Sequence, residues 1–427
     1  MAVEKTEVVV VGAGQAGIAA SEHLSKLGIS HVVLERDRIA EHWRSARWDS
    51  LVANGPCWHD RFPGMKFAGS QDAFVPKEVI ADYFVDYAKM IGAPIRTGVE
   101  VSKVSRNEGR EGFTVETSAG PIEADYVISA TGAFQIPAIP PMVPETAGLT
   151  QIHSASYRNP GQLAPGAVLV VGAGSSGTQI AEELLRAGRK VYLSVGPHDR
   201  PPRRYRGRDN VWWLGVLNKW DMEATPGVEH TTIAVTGAKG GYTIDFRKLA
   251  GEGLVLVGRT EGYKDGAMQF APDLKTNLDR GDANYLSVLR EADDYIAQNG
   301  LDLPEEPEAH VIPADPDCVS HPILSLDLKA AGITTIIWAT GFGVDNSWLP
   351  DEALDDKGHA AHNRGIGAMA GIYYLGLPWQ TRRGSSFIWG VWHDAKYVAD
   401  HIAKQRGYLA YAPEAAPAKA AAEAETV

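Results

Sequence analysis

The run Val8-Val9-Val10-Val11-Gly12-Ala13-Gly14-Gln15-Ala16-Gly17 decides the fold. Four β-branched residues lead into three glycines at G-x-G-x-x-G spacing. A helical pattern follows (Ile18, Ala19, Leu24, Leu27), stops at Gly28, and gives way to His31-Val32-Val33-Leu34-Glu35. Strand, glycine turn, helix, strand and an acid about twenty residues past the glycines is the order a dinucleotide-binding βαβ unit requires. Gly12 permits the tight turn, Gly14 lets a pyrophosphate approach the backbone, and Gly17 lets helix and strand pack closely. The first helical turn, with Gln15 and Ala16, offers unpaired N–H groups and about half a positive charge to that pyrophosphate. Glu35 is placed to accept hydrogen bonds from an adenosine ribose, with Arg36 next to it in the chain.

The same design recurs downstream. Val168-Leu169-Val170-Val171 runs into Gly172-Ala173-Gly174-Ser175-Ser176-Gly177, then a helix (Ile180, Leu184, Leu185) that stops at Gly188, then a strand over 191–195. No acid closes this second strand. Arg200, Arg203, Arg204, Arg206 and Arg208 follow instead. An acid there repels a 2′-phosphate, whereas arginines pair with one in two-pronged fashion; the plainer reading of the cluster is a solvated basic loop. Two units of opposite ribose chemistry predict FAD in the first and NADPH, in preference to NADH, in the second.

At 427 residues, 44% apolar and 22% charged, the chain has room for two or three domains with substantial cores. A formal net charge of −12 argues against nucleic acid or anionic membrane as main partner. No apolar run reaches bilayer-spanning length, and the first strand starts too early for a signal peptide. Cys57 and Cys318 form neither a CxxC nor a disulfide framework. These features predict a cytoplasmic protein, and no metal site is assigned.

Between the units, residues 41–55 read as an irregular aromatic and polar loop. Pro76 opens a helix with Ile80, Phe84 and Ala88 on one face. Strands are expected at 95–101, 113–117, 121–124 and 126–129, the last ending in Ala130-Thr131-Gly132. A proline-rich linker follows over 137–144. Beyond the arginines come Trp212, Trp213 and Trp220, a glycine-rich stretch over 231–241, a strand at 254–257 and a helix over 285–298. A strand over 334–338 ends in Ala339-Thr340-Gly341, repeating the Ala-Thr-Gly ending. A last helix covers about 389–405, and the Ala/Glu/Pro/Lys tail from 411 is expected to be disordered.

The predicted fold is therefore α/β, with two Rossmann-like dinucleotide-binding domains, the NADPH domain inserted into the FAD domain. The FAD domain takes residues 1–160 and 335–410, and the NADPH domain 161–334. The two Ala-Thr-Gly turns mark the crossings.

These residues resemble the flavin-containing monooxygenases of the single-component, two-dinucleotide type, relatives of the indole-pyruvate and Baeyer–Villiger enzymes. The resemblance rests on both glycine motifs, Trp43-Arg44, Ser50-Leu51-Val52-Ala53-Asn54, Phe74-Val75-Pro76, the two Ala-Thr-Gly turns and His153-Ser154-x-x-Tyr157. It departs before His153, where Ala147 and Leu149 replace the family's Phe and Gly. The resemblance implies an enzyme in which NADPH reduces FAD, the reduced flavin adds O2 at C4a, and bound NADP+ shields the peroxyflavin until a small organic substrate takes one oxygen atom.

It also implies that Asn54 serves the flavin's reactive edge, although Asn-Gly is equally a common turn pair. His153 is either a nicotinamide-shielding residue or a hydrogen-bonded linker residue. Val101 and Asp394 join the cofactor set, Asp394 lying with His393 near the start of the last helix, where the pair serves the flavin or merely caps the helix. His59 and Asp60 read as surface loop, and the tryptophans as domain packing. A disulfide reductase is excluded by the want of a cysteine pair near the flavin. A flavin oxidase or reductase without substrate oxygenation is the alternative, and a nucleotide sensor a third reading. A homodimer is the default assembly.

Overall fold

Two parallel sheets organise the residues that the computed structural model describes, 3–109, 111–225 and 232–411. In chain order the main elements are β1 (Glu4–Val11), α1 (Gln15–Lys26), β2 (His31–Glu35), α2 (Lys77–Met90), β3 (Ile95–Thr97), β4 (Val101–Arg106), β5 (Phe113–Thr117) and β6 (Ile122–Ser129). There follow β7 (Thr150–His153), β8 (Ala167–Val171), α3 (Ser175–Arg186), β9 (Val191–Ser194), β10 (Val255–Val257), α4 (Leu274–Asn299), β11 (Ile333–Trp338), β12 (Ile372–Tyr374) and α5 (Ile388–Leu409). The first sheet runs β12–β6–β1–β2–β3 in parallel, with β4 and β5 added antiparallel beside β6. The second runs β10–β9–β8–β11–β7, all parallel.

The valine runs are the central strands because both of their faces are covered. Val8 and Val10 pack with α1, α2 and α5, while Val9 and Val11 face the opposite core with Val115 and Val127. In the second sheet Val168 and Val170 face α3, and Leu169 and Val171 face Trp338 and Phe270. Burying each such side chain contributes roughly 1.5–3 kcal/mol.

The C-terminal helix completes the first unit. Trp392 of α5 donates from Nε1 to Glu22 of α1 (2.6 Å), and His23 of α1 bonds the Trp392 carbonyl at 3.1 Å. Ile18, Leu24, Val391 and Ile402 are fully buried between or beside these helices. That contact brings a segment some 370 residues downstream back onto the first glycine motif.

Several sequence expectations shift. Both 150–153 and 333–338 are strands of the second sheet, so its unit begins before residue 161 and includes the strand expected to start the return. The crossings run through a short antiparallel ladder of Ile136–Pro137 with Phe342–Gly343. Gly98, at φ +72°, splits the expected 95–101 strand into β3 and β4. Residues 122–129 form one continuous strand rather than two. Helix α4 starts at Leu274, eleven residues ahead of the expected 285, because Leu274 and Leu278 already pack into the second core. The aromatic loop contains a five-residue helix, Glu41–Ser45. The tail beyond 411 lies outside the described residues.

Candidate active site

The two glycine turns share one geometry. Gly12 N–H donates to Leu34 O (2.7 Å) and Gly172 N–H to Ser194 O (3.1 Å), tying each turn to the end of its unit's second strand. Gly12 sits at φ +104° and Gly172 at +109°, in the region that favours glycine. A Cβ on either would lie 2.7 Å from Ala130 O or 2.5 Å from Ala339 O. Those carbonyls belong to the two Ala-Thr-Gly turns, so each turn abuts the first glycine of its own unit. Thr131 Oγ1 accepts from Gln135 Nε2 (2.8 Å) beside Gly132, and Gly341 O bonds His153 Nε2 (2.9 Å). Thr340 Oγ1 donates to Ala138 O (2.5 Å). A Cβ on Gly17 or Gly177 would collide with the carbonyl of Gly12 or Gly172.

The turns differ at the middle glycine. Nothing lies within 4 Å of a Cβ position on Gly14, so the face a pyrophosphate approaches is open, at the N-terminus of the 12-residue helix α1. Gln15 Nε2 reaches Ser386 O just before α5 (2.9 Å). Glu35 accepts Ala13 N–H on Oε2 (2.8 Å) and Asp37 N–H on Oε1 (2.9 Å). A carboxylate has about four lone-pair positions, so each oxygen keeps one for a ribose hydroxyl. These residues fit the adenosine-diphosphate part of FAD.

At Gly174, by contrast, Thr232 Cγ2 lies 2.5 Å from the Cβ position. Ser175 Oγ donates to Ile233 O (2.9 Å) and accepts from Val235 N–H (3.3 Å). The chain itself fills the place of a second pyrophosphate. As it stands, the second turn does not fit a nicotinamide dinucleotide.

Around the first turn, Arg36 is solvent-exposed and pairs with Asp37 at 3.3 Å. Trp43 packs against both major cores. Arg44 pairs with Asp82 (2.7 Å), and its carbonyl accepts from the buried Lys77 Nζ (2.9 Å). Val101, expected in the cofactor set, begins β4, whereas Val99 N–H is the group bonded to Glu35 O (2.9 Å).

Asn54 lies where the two units meet. Gln179 Nε2 of α3 donates to Asn54 Oδ1 (3.1 Å), and Arg203 Nη1 donates to Asn54 O (2.6 Å). The amide nitrogen of Asn54 has no hydrogen-bond partner among the described residues. His153 is 2% exposed. Its Nδ1 accepts from Ala155 N–H (3.1 Å), which leaves Nε2 as the donor to Gly341 O. Burial holds its pKa below the usual value. With both nitrogens engaged, the ring holds the crossing in place and offers nothing to a nicotinamide.

The arginine expectation needs correcting. Arg203 is 3% exposed, paired with Asp209 and set 4.7 Å over the Phe74 ring. Arg204 donates to the carbonyls of Gly240 (2.8 Å) and Gly241 (3.1 Å). Arg200 is buried against Asp282, and Arg206 pairs with Asp293. These heads stabilise the second unit instead of waiting for a phosphate. The residue matching Glu35 is Val195, and the cation beside it is Arg259, whose Cγ lies 3.9 Å from the Cβ position of Gly196. Its guanidinium is exposed and has only long ion pairs, to Asp273 (3.9 Å) and Glu261 (4.0 Å).

Asp394 is 1% exposed, accepts from Thr381 Oγ1 (2.6 Å) and pairs with Arg382 at 3.4 Å; its Oδ2 has no partner. Since α5 starts at Ile388, Asp394 lies nearly two turns inside it and caps nothing. Trp212 and Trp213 pack against α4. Trp220 and Trp389 both pack against His59, at ring-centre distances of 5.0 and 5.6 Å. His59, expected on the surface, is 7% exposed; Nδ1 bonds Asp60 (2.8 Å) and Nε2 is unpartnered. The signal available was a His-Asp pair five residues after Asn54. Cys57 is 1% exposed with its thiol pKa pushed up by burial, and it belongs to a different core from Cys318. Among the described residues no group of His, Cys, Asp or Glu is placed to hold a metal, and no helix is long and apolar enough to cross a membrane.

Fold and site define an oxidoreductase built on two dinucleotide-binding units. Residues 9–214 match the family model described as pyridine nucleotide-disulphide oxidoreductase. A CzcO-like oxidoreductase of Geobacillus kaustophilus is 33% identical over 403 residues, covering 93% of this chain and 98% of the relative. The indole-3-pyruvate monooxygenase YUCCA1 of Oryza sativa is 31% identical over 191 residues, 44% of this chain and 47% of that one. A solved flavin-containing monooxygenase from Stenotrophomonas maltophilia shares the fold, with a TM-score of 0.66 at 20% identity over 96% of this chain and all of that one. The chain belongs to the family of the CzcO-like oxidoreductases, and it shares its fold with flavin-containing monooxygenases.

Proposed function

We propose that the protein is an FAD-dependent monooxygenase that takes reducing equivalents from NADPH and transfers one atom of O2 to a small organic substrate, the other leaving as water. The observation that carries this reading is the pair of equivalent glycine turns with Asn54 between them, held from the second unit by Gln179 and Arg203. Flavin, when bound, supplies the activation of dioxygen; the chain supplies orientation and exclusion of water. The open Gly14 face and Glu35 hold the adenosine diphosphate end. Asn54 keeps its amide N–H groups available as donors at the junction, while Gln179 fixes its carbonyl. His59, packed against two tryptophans and oriented by Asp60, adds a second polar atom in an apolar wall.

Two features favour oxygenation over the reductase reading. Cys57 is a buried thiol with no second cysteine near it, which leaves a disulfide substrate no dithiol partner. Curated relatives that match 44% and 56% of the chain carry monooxygenase names. NADPH is preferred to NADH because Val195 puts no carboxylate at the ribose end and Arg259 stands beside it. The test is to purify the protein, count FAD per chain, and mix it anaerobically with NADPH. Stoichiometric FAD bleached rapidly by NADPH, then oxygen uptake stimulated by a substrate with little peroxide released, is the expected result. Oxygen uptake returned wholly as peroxide with every substrate in a panel of sulfides, amines, ketones and 2-oxo acids would make it an oxidase.

A further inference from the structure

Residues 232–241 follow the line a second dinucleotide would take. At one end, Thr232–Ile233 pair in parallel with His198–Asp199, just past the end of β9, and Ala234 N–H donates to Asp199 O (2.8 Å). In the middle, Thr232 covers Gly174, and Ser175 Oγ holds both Ile233 O and Val235 N–H. At the far end, Gln179 Nε2 bonds Val235 O (2.7 Å) as well as Asn54 Oδ1. Gly237 is pressed so closely on Ala53 O and Phe74 that a Cβ there would collide with both. Ribose end, pyrophosphate turn and Asn54 are thus visited in order by one stretch of the protein's own backbone. Its carbonyl oxygens are held by the side chains of Ser175 and Gln179 from the first two turns of α3, beside the helix N-terminus where a dinucleotide would place phosphate oxygens.

We propose that residues 232–235 are an internal competitor of the nicotinamide dinucleotide for the Gly172–Gly177 turn. This rests on the reading of that turn as the NADPH site. Nucleotide and segment are alternative occupants, so the affinity observed is the affinity of the open turn reduced by the fraction open. Among the described residues no such segment lies on the flavin turn, where Gly14 faces open space. Reduction of the flavin therefore waits on the segment's release, and whatever shifts that equilibrium sets how fast NADPH is consumed.

The segment can be locked. Asp199 and Ile233 are register partners, so Asp199→Cys with Ile233→Cys places two thiols for a disulfide across the ladder. NADP+ binding is measured calorimetrically on the full-length, flavin-loaded double variant, oxidised and then reduced with dithiothreitol, with the cross-link verified by mass. The expected result is at least tenfold weaker NADP+ binding in the oxidised form, restored on reduction, with flavin content unchanged. Thr232→Gly, which removes the methyl lying on Gly174, is expected to bind NADP+ several-fold tighter than the unaltered protein. Equal NADP+ affinity in locked and unlocked forms overturns the competitor while leaving the oxygenase reading standing. Absence of NADP+ binding in every form, the unaltered protein and Thr232→Gly included, overturns both.

Discussion

Gly14 faces open space and Gly174 faces Thr232, although the two turns match in their glycines, in the strand each is tied to and in the Ala-Thr-Gly carbonyl packed behind each. The comparison separates two things a fingerprint encodes. The glycines dictate the shape of the turn, because only they tolerate its backbone and its close approaches. They do not dictate what lies in front of it, which at Gly174 is set by residues nearly sixty positions downstream. Charge at the end of the second strand likewise differs: the first unit presents the Glu35 carboxylate from its own strand, and the second has Arg259 just past the neighbouring strand β10.

The comparison breaks most sharply at the third glycines. Gly17→Val should leave the protein without bound flavin, whereas Gly177→Val should leave it yellow and unresponsive to NADPH; flavin absorbance before and after NADPH reads both. Loss of flavin from the Gly177 variant would mean the units do not act separately. Next in size is Arg203→Ala, which removes a buried guanidinium, leaves the half-buried Asp209 with only its helix-capping bond to Val211 N–H, and cuts the tie to Asn54. Removing one partner of a buried pair costs about 3–5 kcal/mol, read as a shift in the urea midpoint, with NADPH and NADH use weakened alike. Weakening of NADPH alone would return the 2′-phosphate role to the arginine loop.

A third prediction concerns the joint that completes the first unit. His23 is 5% exposed, and burial lowers its pKa from 6.5 to about 4. The unfolded chain therefore binds more protons than the folded one between those values, and stability falls as pH drops through that window. At 1.36 kcal/mol per pH unit the loss from this group is about 3 kcal/mol. His23→Gln should flatten that part of the profile; an unchanged slope assigns the acid sensitivity elsewhere. Smallest is Arg259→Ala, expected to raise the KM for NADPH about tenfold, equivalent to ~1.4 kcal/mol, and to leave NADH untouched. Steady-state kinetics with both nucleotides decide it.

Much of this was legible in the sequence, for a physical reason. A βαβ unit is local: strand, turn and helix are consecutive, and the apolar run, glycine spacing and 3.6-residue period each report on the same thirty residues. Glu35 could be placed from that window alone. What escaped depends on distant chain. Arg203 and Asp209 lie six residues apart, but the pair is buried by Phe74 and Asn54 from the other unit. His59 looks like a loop residue until Trp220 and Trp389 close on it. His153 was readable as a linker residue, yet only the β7–β11 pairing shows why both its nitrogens are taken. The stretch over 231–241 reads as glycine-rich with weak periodicity, and its tight approach to Ala53 uses Gly237 for want of a side chain.

The central claim is that flavin at the open turn and nicotinamide nucleotide at the covered one cooperate to place oxygen on a substrate. The most direct measurement runs the FAD-loaded protein with NADPH, a panel of candidate substrates and isotopically heavy dioxygen, and weighs the products. The expected result is NADPH consumed in step with a product carrying one heavy oxygen atom. NADPH consumed with all the heavy oxygen recovered as peroxide would contradict it.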